Sequence, residues 1–178
     1  MPLTNVVVSV AGRSVRGDEM VTSDGIEGGP IYGHSAAIRE AIDRNGHCAV
    51  TFDLHPDVTL EGLRDRLNRG RPKDSIATSL RRTIGLAPVA VSLLRETTGS
   101  RVPVDPTELA GLVKAVPLIV EEFMPIERAL STAGGIRFGE LCEAFMVPRP
   151  PGPSCARRHA RPRAAGAPSM SVRVAMFA

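Results

Sequence analysis

Cysteine is scarce, long apolar runs are missing, and the last thirty-one residues contain no acidic side chain. Each absence removes a class of protein. The three cysteines, Cys48, Cys142 and Cys155, are odd in number and widely spaced, so they suit neither a disulfide framework nor a paired metal knuckle and read as plain thiols. No stretch of about 18 apolar residues could cross a bilayer as a helix, and Met1-Pro2-Leu3-Thr4-Asn5 lacks the basic start and apolar run of a signal peptide. A soluble cytoplasmic protein with no membrane partner is expected. Nucleotide signatures are missing as well: there is no Walker loop, no Gly-x-Gly-x-x-Gly fingerprint and no Gly-x-Ser-x-Gly elbow.

What is present starts with charge, and the charge is uneven. The 178 residues carry 22 basic and 19 acidic side chains, but six arginines (Arg149, Arg157, Arg158, Arg161, Arg163 and Arg173) fall within residues 148–178. Sixteen basic and nineteen acidic residues remain in the body, which is therefore slightly acidic. The tail also holds six of the fifteen prolines, with no amphipathic period before Val172, so it is expected to be disordered: such composition buries too little apolar surface to offset its ordering entropy. The tail offers phosphates a basic charge, yet it has one aromatic, Phe177, and no lysine. Nucleic acid is not the expected partner.

Along the body, Leu3 to Val10 is rich in β-branched residues, turns at Ala11-Gly12-Arg13-Ser14 and returns through Val15 and Met20 to Thr22, a hairpin pattern. Pro30 stands where a helix begins, and Ile31, Ala37, Ile38, Ala41 and Ile42 recur at helical spacing up to the stop signal Asn45-Gly46. A strand follows from Cys48 to Leu54. Four short helical patterns come next: one opened by Thr59, one by Asp74 or Ser75, Val89 to Thr97, and one opened by Asp105-Pro106. Pro117 ends helix, and two strands are expected at Leu118–Phe123 and Ile126–Thr132. Strands, helices and strands again point to an α+β fold for residues 1–147, a β-barrel-like antiparallel sheet carrying a small helical bundle over residues 60–116.

Several groups invite a functional reading. The cluster Gly25-Ile26-Glu27-Gly28-Gly29-Pro30 could present backbone N–H groups to an anion at a helix start, though a tight turn explains the same residues. Thr132-Ala133-Gly134-Gly135-Ile136 leaves a strand through two glycines, which suits either a flat ligand lying close to the backbone or a bulge. His34, His47, Cys48 and His55 have no spacing that lets two ligands reach one ion, so no metal is expected. Glu121 and Glu122 are neighbours on a strand, point to opposite faces and read as rim charges rather than an acid/base pair.

Taken in order, Pro2-Leu3, Gly17-Asp18-Glu19-Met20-Val21-Thr22, Gly25-Ile26-Glu27-Gly28-Gly29-Pro30-Ile31-Tyr32, Asp53-Leu54-His55-Pro56 and Thr132-Ala133-Gly134-Gly135-Ile136 resemble the insert region of the aminoacetone-oxidase-like, NAD(P)/FAD-dependent flavoproteins, over roughly residues 1 to 147. In that family a Rossmann half binds FAD, the insert follows, and a short stretch with a Gly-Glu-Met-Leu-Asp-like motif completes the flavin site. The resemblance implies that Thr132, Gly134 and Gly135, with Gly28 and Gly29, lie near the flavin, and that the chain has no catalytic residue of its own. This chain departs from the family at both ends, so it is expected to be a truncated piece that binds no FAD by itself, whose partner is the missing FAD-binding half. The codons of Arg157-Arg158-His159-Ala160-Arg161-Pro162, read from their second nucleotide, permit Gly-Asp-Met-Leu-Asp. A single-nucleotide frameshift is therefore expected to underlie the tail. A free-standing interaction module and a weak nucleic-acid binder are the competing readings.

Overall fold

A computed structural model describes residues 1–71, 73–125 and 172–175, the last four as backbone only. The β-branched start forms strand β1 (Pro2–Val10), and β2 (Arg13–Val21) returns antiparallel to it. Ala11 and Gly12 both take positive φ (48° and 79°) in the two-residue turn, the geometry whose twist matches that of a hairpin. In β1, alternation buries Val6, Val8 and Val10. Asn5 (φ 57°) sits at a register shift between Leu3 and Val6, which lets both of those apolar residues face inward although they are three positions apart.

Strand β3 (Ile26–Gly28) pairs with the end of β2 and runs directly into helix α1 (Gly29–Asn45). The glycine-rich stretch is thus half strand and half helix start rather than only a turn. Three residues are too few to show alternation, and pairing with Glu19–Val21 makes them a strand. Gly46 closes α1 in the left-handed conformation, its N–H bonded to the Ile42 carbonyl. Strand β4 (Cys48–Asp53) then pairs with β1 on one side and with β5 (Val116–Phe123) on the other, burying Cys48, Val50 and Phe52 against Val116, Leu118 and Val120.

Strand β6 (Val172–Ala175) pairs with β5 and meets β3 at Ile26, closing a ring in the order β1-β2-β3-β6-β5-β4. This corrects the expectation of disorder for these four residues of the tail. A Val-Arg-Val-Ala segment suits a strand, and without it β3 and β5 would each expose an unpaired edge; proline and arginine elsewhere in the tail mask that local signal. The expected strand Ile126–Thr132, the glycine pair after it and the boundary at residue 147 lie outside the described residues.

Helix α1 lies against the sheet and touches β1, β2, β3, β4 and β5. Between β4 and β5 runs the bundle: α2 (Leu60–Leu67), α3 (Ile76–Ile84), α4 (Pro88–Thr97) and α5 (Pro106–Lys114). Thr59, Ser75 and Asp105 cap α2, α3 and α5 through their side-chain oxygens, which accept from the orphan N–H groups of the first turn. Asp53-Leu54-His55 joins barrel to bundle. Asp53 accepts from the His55 N–H and pairs with Lys114, Lys114 also donates to the carbonyls of His55 and Val58, and His55 Nε2 donates to the Ile84 carbonyl at 2.9 Å. One apolar cluster runs through both parts, from Val8 and Phe52 to Leu63, Leu80 and Leu94. The fold is the α+β barrel-like sheet with a helical bundle.

Candidate functional site at the start of helix α1

The inward face of β2 is chemically odd. Where alternation calls for apolar residues it carries Gly17 and Glu19, and Glu19 is 2% exposed. A buried carboxyl needs compensation, and its Oε1 accepts the backbone N–H of Ile31 at 2.8 Å, in the first turn of α1, where N–H groups have no helical partner. Glu19 therefore does for α1 what a capping side chain does elsewhere, acting from the neighbouring strand; Gly28, the N-cap residue, has no side chain to do it. Its Oε2 has no hydrogen-bond partner among the described residues.

Three small or rigid residues make room for this arrangement. A methyl group at Gly28 would overlap the Glu19 carboxyl group and the Asp18 carbonyl. One at Gly17 would sit 3.0 Å from Pro30 Cδ, so the missing side chain there receives the proline ring that opens the helix. Gly17, Glu19, Gly28 and Pro30 interlock, each occupying space that another leaves. Burial pushes the Glu19 carboxyl up from its ordinary 4.5 to about 7; the Ile31 N–H opposes this and the nearby Glu27 carboxylate adds to it. At neutral pH the site holds a carboxyl near its midpoint, able to keep or release one proton. Tyr32, one residue further on, is also pushed up, by burial and then by Glu27 and Glu19.

Of the candidate cofactor residues, Gly28 and Gly29 are here, and Thr132, Gly134 and Gly135 lie outside the described residues. The space a side chain at Gly28 would fill holds the Glu19 carboxyl group, and the Ile31 N–H serves the same group. Gly29 is exposed and has nothing within 4 Å of where a Cβ would be, so it keeps an open face. The described residues do not fit the diphosphate of FAD on their own: the donor that would serve it is taken by an internal anion. Sequence reasoning missed Glu19, although an acidic residue at an inward strand position shortly before Gly-Gly-Pro was the available signal.

The other groups singled out are structural. His34 is buried and its Nε2 donates to the Val8 carbonyl at 3.0 Å, while His47 lies by the Asn45 carbonyl. Among the described residues no three His, Cys, Asp or Glu side chains come together to hold a metal ion. Cys48 is buried and free, and burial raises its thiol pKa, which disfavours the thiolate a nucleophile needs. Glu121 and Glu122 do not alternate as expected: β5 shifts register between Val120 and Glu122, and both glutamates are exposed. No helix among the described residues is long and apolar enough to cross a membrane.

A family model described as the HI0933-like protein barrel and H2TH domain matches residues 1–131, which takes in β1 to β5 and all five helices. No curated protein matches the chain.

Proposed function

The chain belongs to the HI0933-like family of flavoproteins, and we propose that it is the barrel-and-bundle insert of an FAD-dependent oxidoreductase of the aminoacetone-oxidase-like type. The observation that carries this reading is the family match over residues 1–131, which form the bundle and five of the six barrel strands. In such an enzyme the flavin performs the hydride chemistry, and the protein holds, orients and tunes it. The chain itself carries no glycine fingerprint, and at the start of α1 its own Glu19 takes the donor an anion would use. The insert therefore depends on an FAD-binding half for the flavin and turns over no substrate without it. Gly29, with its open face, is the described residue left to approach the flavin, beside Thr132, Gly134 and Gly135.

A flavin test on the purified full chain decides this. After addition of FAD and desalting, no flavin absorbance is expected to remain, whereas co-expression with a Rossmann half that carries the glycine fingerprint restores stoichiometric flavin to the complex. Stoichiometric retention by the chain alone would overturn the division of labour. The frameshift reading is tested separately on the gene, whose codons from Arg157 onward must spell Gly-Asp-Met-Leu-Asp in the shifted frame.

A further inference from the structure

The strongest unexplained charge in the described molecule lies in the bundle, far along the chain from Glu19. The segment Asn68-Arg69-Gly70-Arg71-Pro72-Lys73-Asp74 links α2 to α3, and Arg66 and Arg82 flank it on the two helices. Arg66, Arg69, Arg71, Arg82, Asp74 and Thr83 line one cavity of about 240 Å³. Arg82 is committed, its Nη1 bonded to Asp74 Oδ2 at 3.0 Å. Among the described residues the side chains of Arg66, Arg69 and Arg71 have no partner.

Arg66, Arg69 and Arg71 are exposed, and the backbone places all three on the wall of one cavity. Gly70 brings the segment against α3 so closely that a methyl group on it would stand 2.9 Å from Ser79 Oγ and 3.0 Å from the Leu67 carbonyl. Backbone bonds brace the segment: Arg69 N–H to the Arg66 carbonyl, Gly70 N–H to Leu67 and Asp74 N–H to Arg71. The negative end of the α2 dipole accounts for Arg66, in the last turn of that helix, but not for Arg69 and Arg71, which lie beyond it. Thr83 already donates its hydroxyl proton to the Ser79 carbonyl, so the donors left for a ligand are guanidinium forks. Such forks match the oxygen pairs of phosphate groups.

We infer that this cavity binds the diphosphate group of a small molecule. Three unpaired cations balance a diphosphate, and the volume holds one with room for what it is attached to. A nucleic-acid strand is the poorer match: no aromatic side chain lines the cavity for a base to stack on. The site is separate from the α1 start and does not depend on the flavin reading.

Calorimetric titration of the full chain at fixed ionic strength tests it, with inorganic pyrophosphate as the probe. Saturable one-site binding is expected, weakened about a hundredfold in Arg69→Ala/Arg71→Ala, at about tenfold for each charged hydrogen-bonding group removed. The charge-matched pair Arg13→Ala/Arg44→Ala binds as the wild type does. Arg66→Ala, on a different element, is expected to lose about tenfold and guards against a folding defect in the linker variant. ADP binding at the same site at least as well as pyrophosphate supports a nucleotide source, and ADP failing where pyrophosphate binds supports the inorganic ion. Either result keeps the diphosphate assignment. It is overturned by absence of saturable binding, by equal loss in the charge-matched pair, or by a short single-stranded oligonucleotide binding through Arg69 and Arg71 where pyrophosphate does not.

Discussion

In the barrel half, three polar side chains lie inside, Glu19 on β2 and His34 and Ser35 on α1; in the bundle the buried side chains, among them Leu63, Leu67, Leu80, Ile84, Leu94 and Val113, are all apolar. Caps, ion pairs and arginines of the bundle lie at its rim. The barrel's polar groups each serve a backbone group: Glu19 the Ile31 N–H, His34 the Val8 carbonyl, Ser35 the Tyr32 carbonyl. The Glu19 bond reaches the first turn of α1 from β2 and the His34 bond reaches β1 from α1, while Ser35 bonds within α1. In the bundle α2, α3 and α5 are capped by their own flanking side chains, and the Ile84 carbonyl at the end of α3 is served by His55. Polarity is buried where two kinds of secondary structure meet. The two halves should therefore respond differently to changes of volume and to changes of charge.

The largest effect is expected from removing volume in the bundle. Leu80 is fully buried between α3 and its neighbours, and Leu80→Ala leaves a cavity with no polar group to fill it, costing about 4 kcal/mol. Because one apolar cluster spans both halves, chemical denaturation followed by circular dichroism should show one transition displaced to lower denaturant. A second, unshifted transition would mean that barrel and bundle unfold apart, and the comparison would then be between two domains.

The barrel's response to charge comes next. Glu19 has a folded-state pKa of about 7 against its ordinary 4.5, so the folded chain keeps a proton that the unfolded chain releases. The stabilising contribution is fully present below about pH 4.5, is lost as pH rises toward about 7, and changes no further above it. At 1.36 kcal/mol per pH unit the ceiling is about 3 kcal/mol. Glu19→Gln keeps an oxygen for the Ile31 N–H and cannot ionise. Relative to wild type it is expected to be more stable at pH 8 and equal at pH 4.5, measured as denaturation midpoints across that range. A variant less stable at both values would show that the charged carboxylate is favoured.

Adding volume separates two neighbouring glycines. Gly28→Ala drives a methyl group into the Glu19 carboxyl group and the Asp18 carbonyl and should cost about 2 kcal/mol, while Gly29→Ala, with nothing within 4 Å, should stay within about 0.5 kcal/mol of wild type. Thermal midpoints of the two variants check this. Equal losses would indicate that the segment needs glycine for its backbone rather than for the space Glu19 occupies.

Features set by local chemistry were legible in the sequence. The Ala11-Gly12 turn, the Pro30 start and Asn45-Gly46 stop of α1, and the caps Thr59 and Asp105 depend on residues within a few positions of one another. What was not legible depends on distance along the chain. Glu19 stands at an inward strand position, but the group that compensates its burial, the Ile31 N–H, lies twelve positions on. The three-residue β3 and four-residue β6 become strands only through the edges they pair with. Gly28 and Gly29 lie at the helix start, but the sequence does not show that the space at Gly28 is filled by a carboxyl group from the neighbouring strand. The basic cavity is not legible in the sequence because Arg66, Arg69 and Arg71 come to one wall only through the packing of Gly70 on α3.

The smallest effect concerns the side-chain caps that open α2, α3 and α5. Ser75 Oγ accepts the Thr78 N–H at 3.3 Å, a long bond on an exposed residue, and α3 has no acidic residue in its first turn to help. Ser75→Ala removes the cap and should cost about 1 kcal/mol, while Ser75→Asp should restore or exceed wild-type stability because its carboxylate also meets the positive end of the helix dipole. Midpoints at low and high salt separate the two terms: the alanine deficit persists in salt, and the aspartate gain shrinks. If alanine costs nothing, water serves the Thr78 N–H as well as Ser75 does, and the difference between halves narrows to one of burial alone.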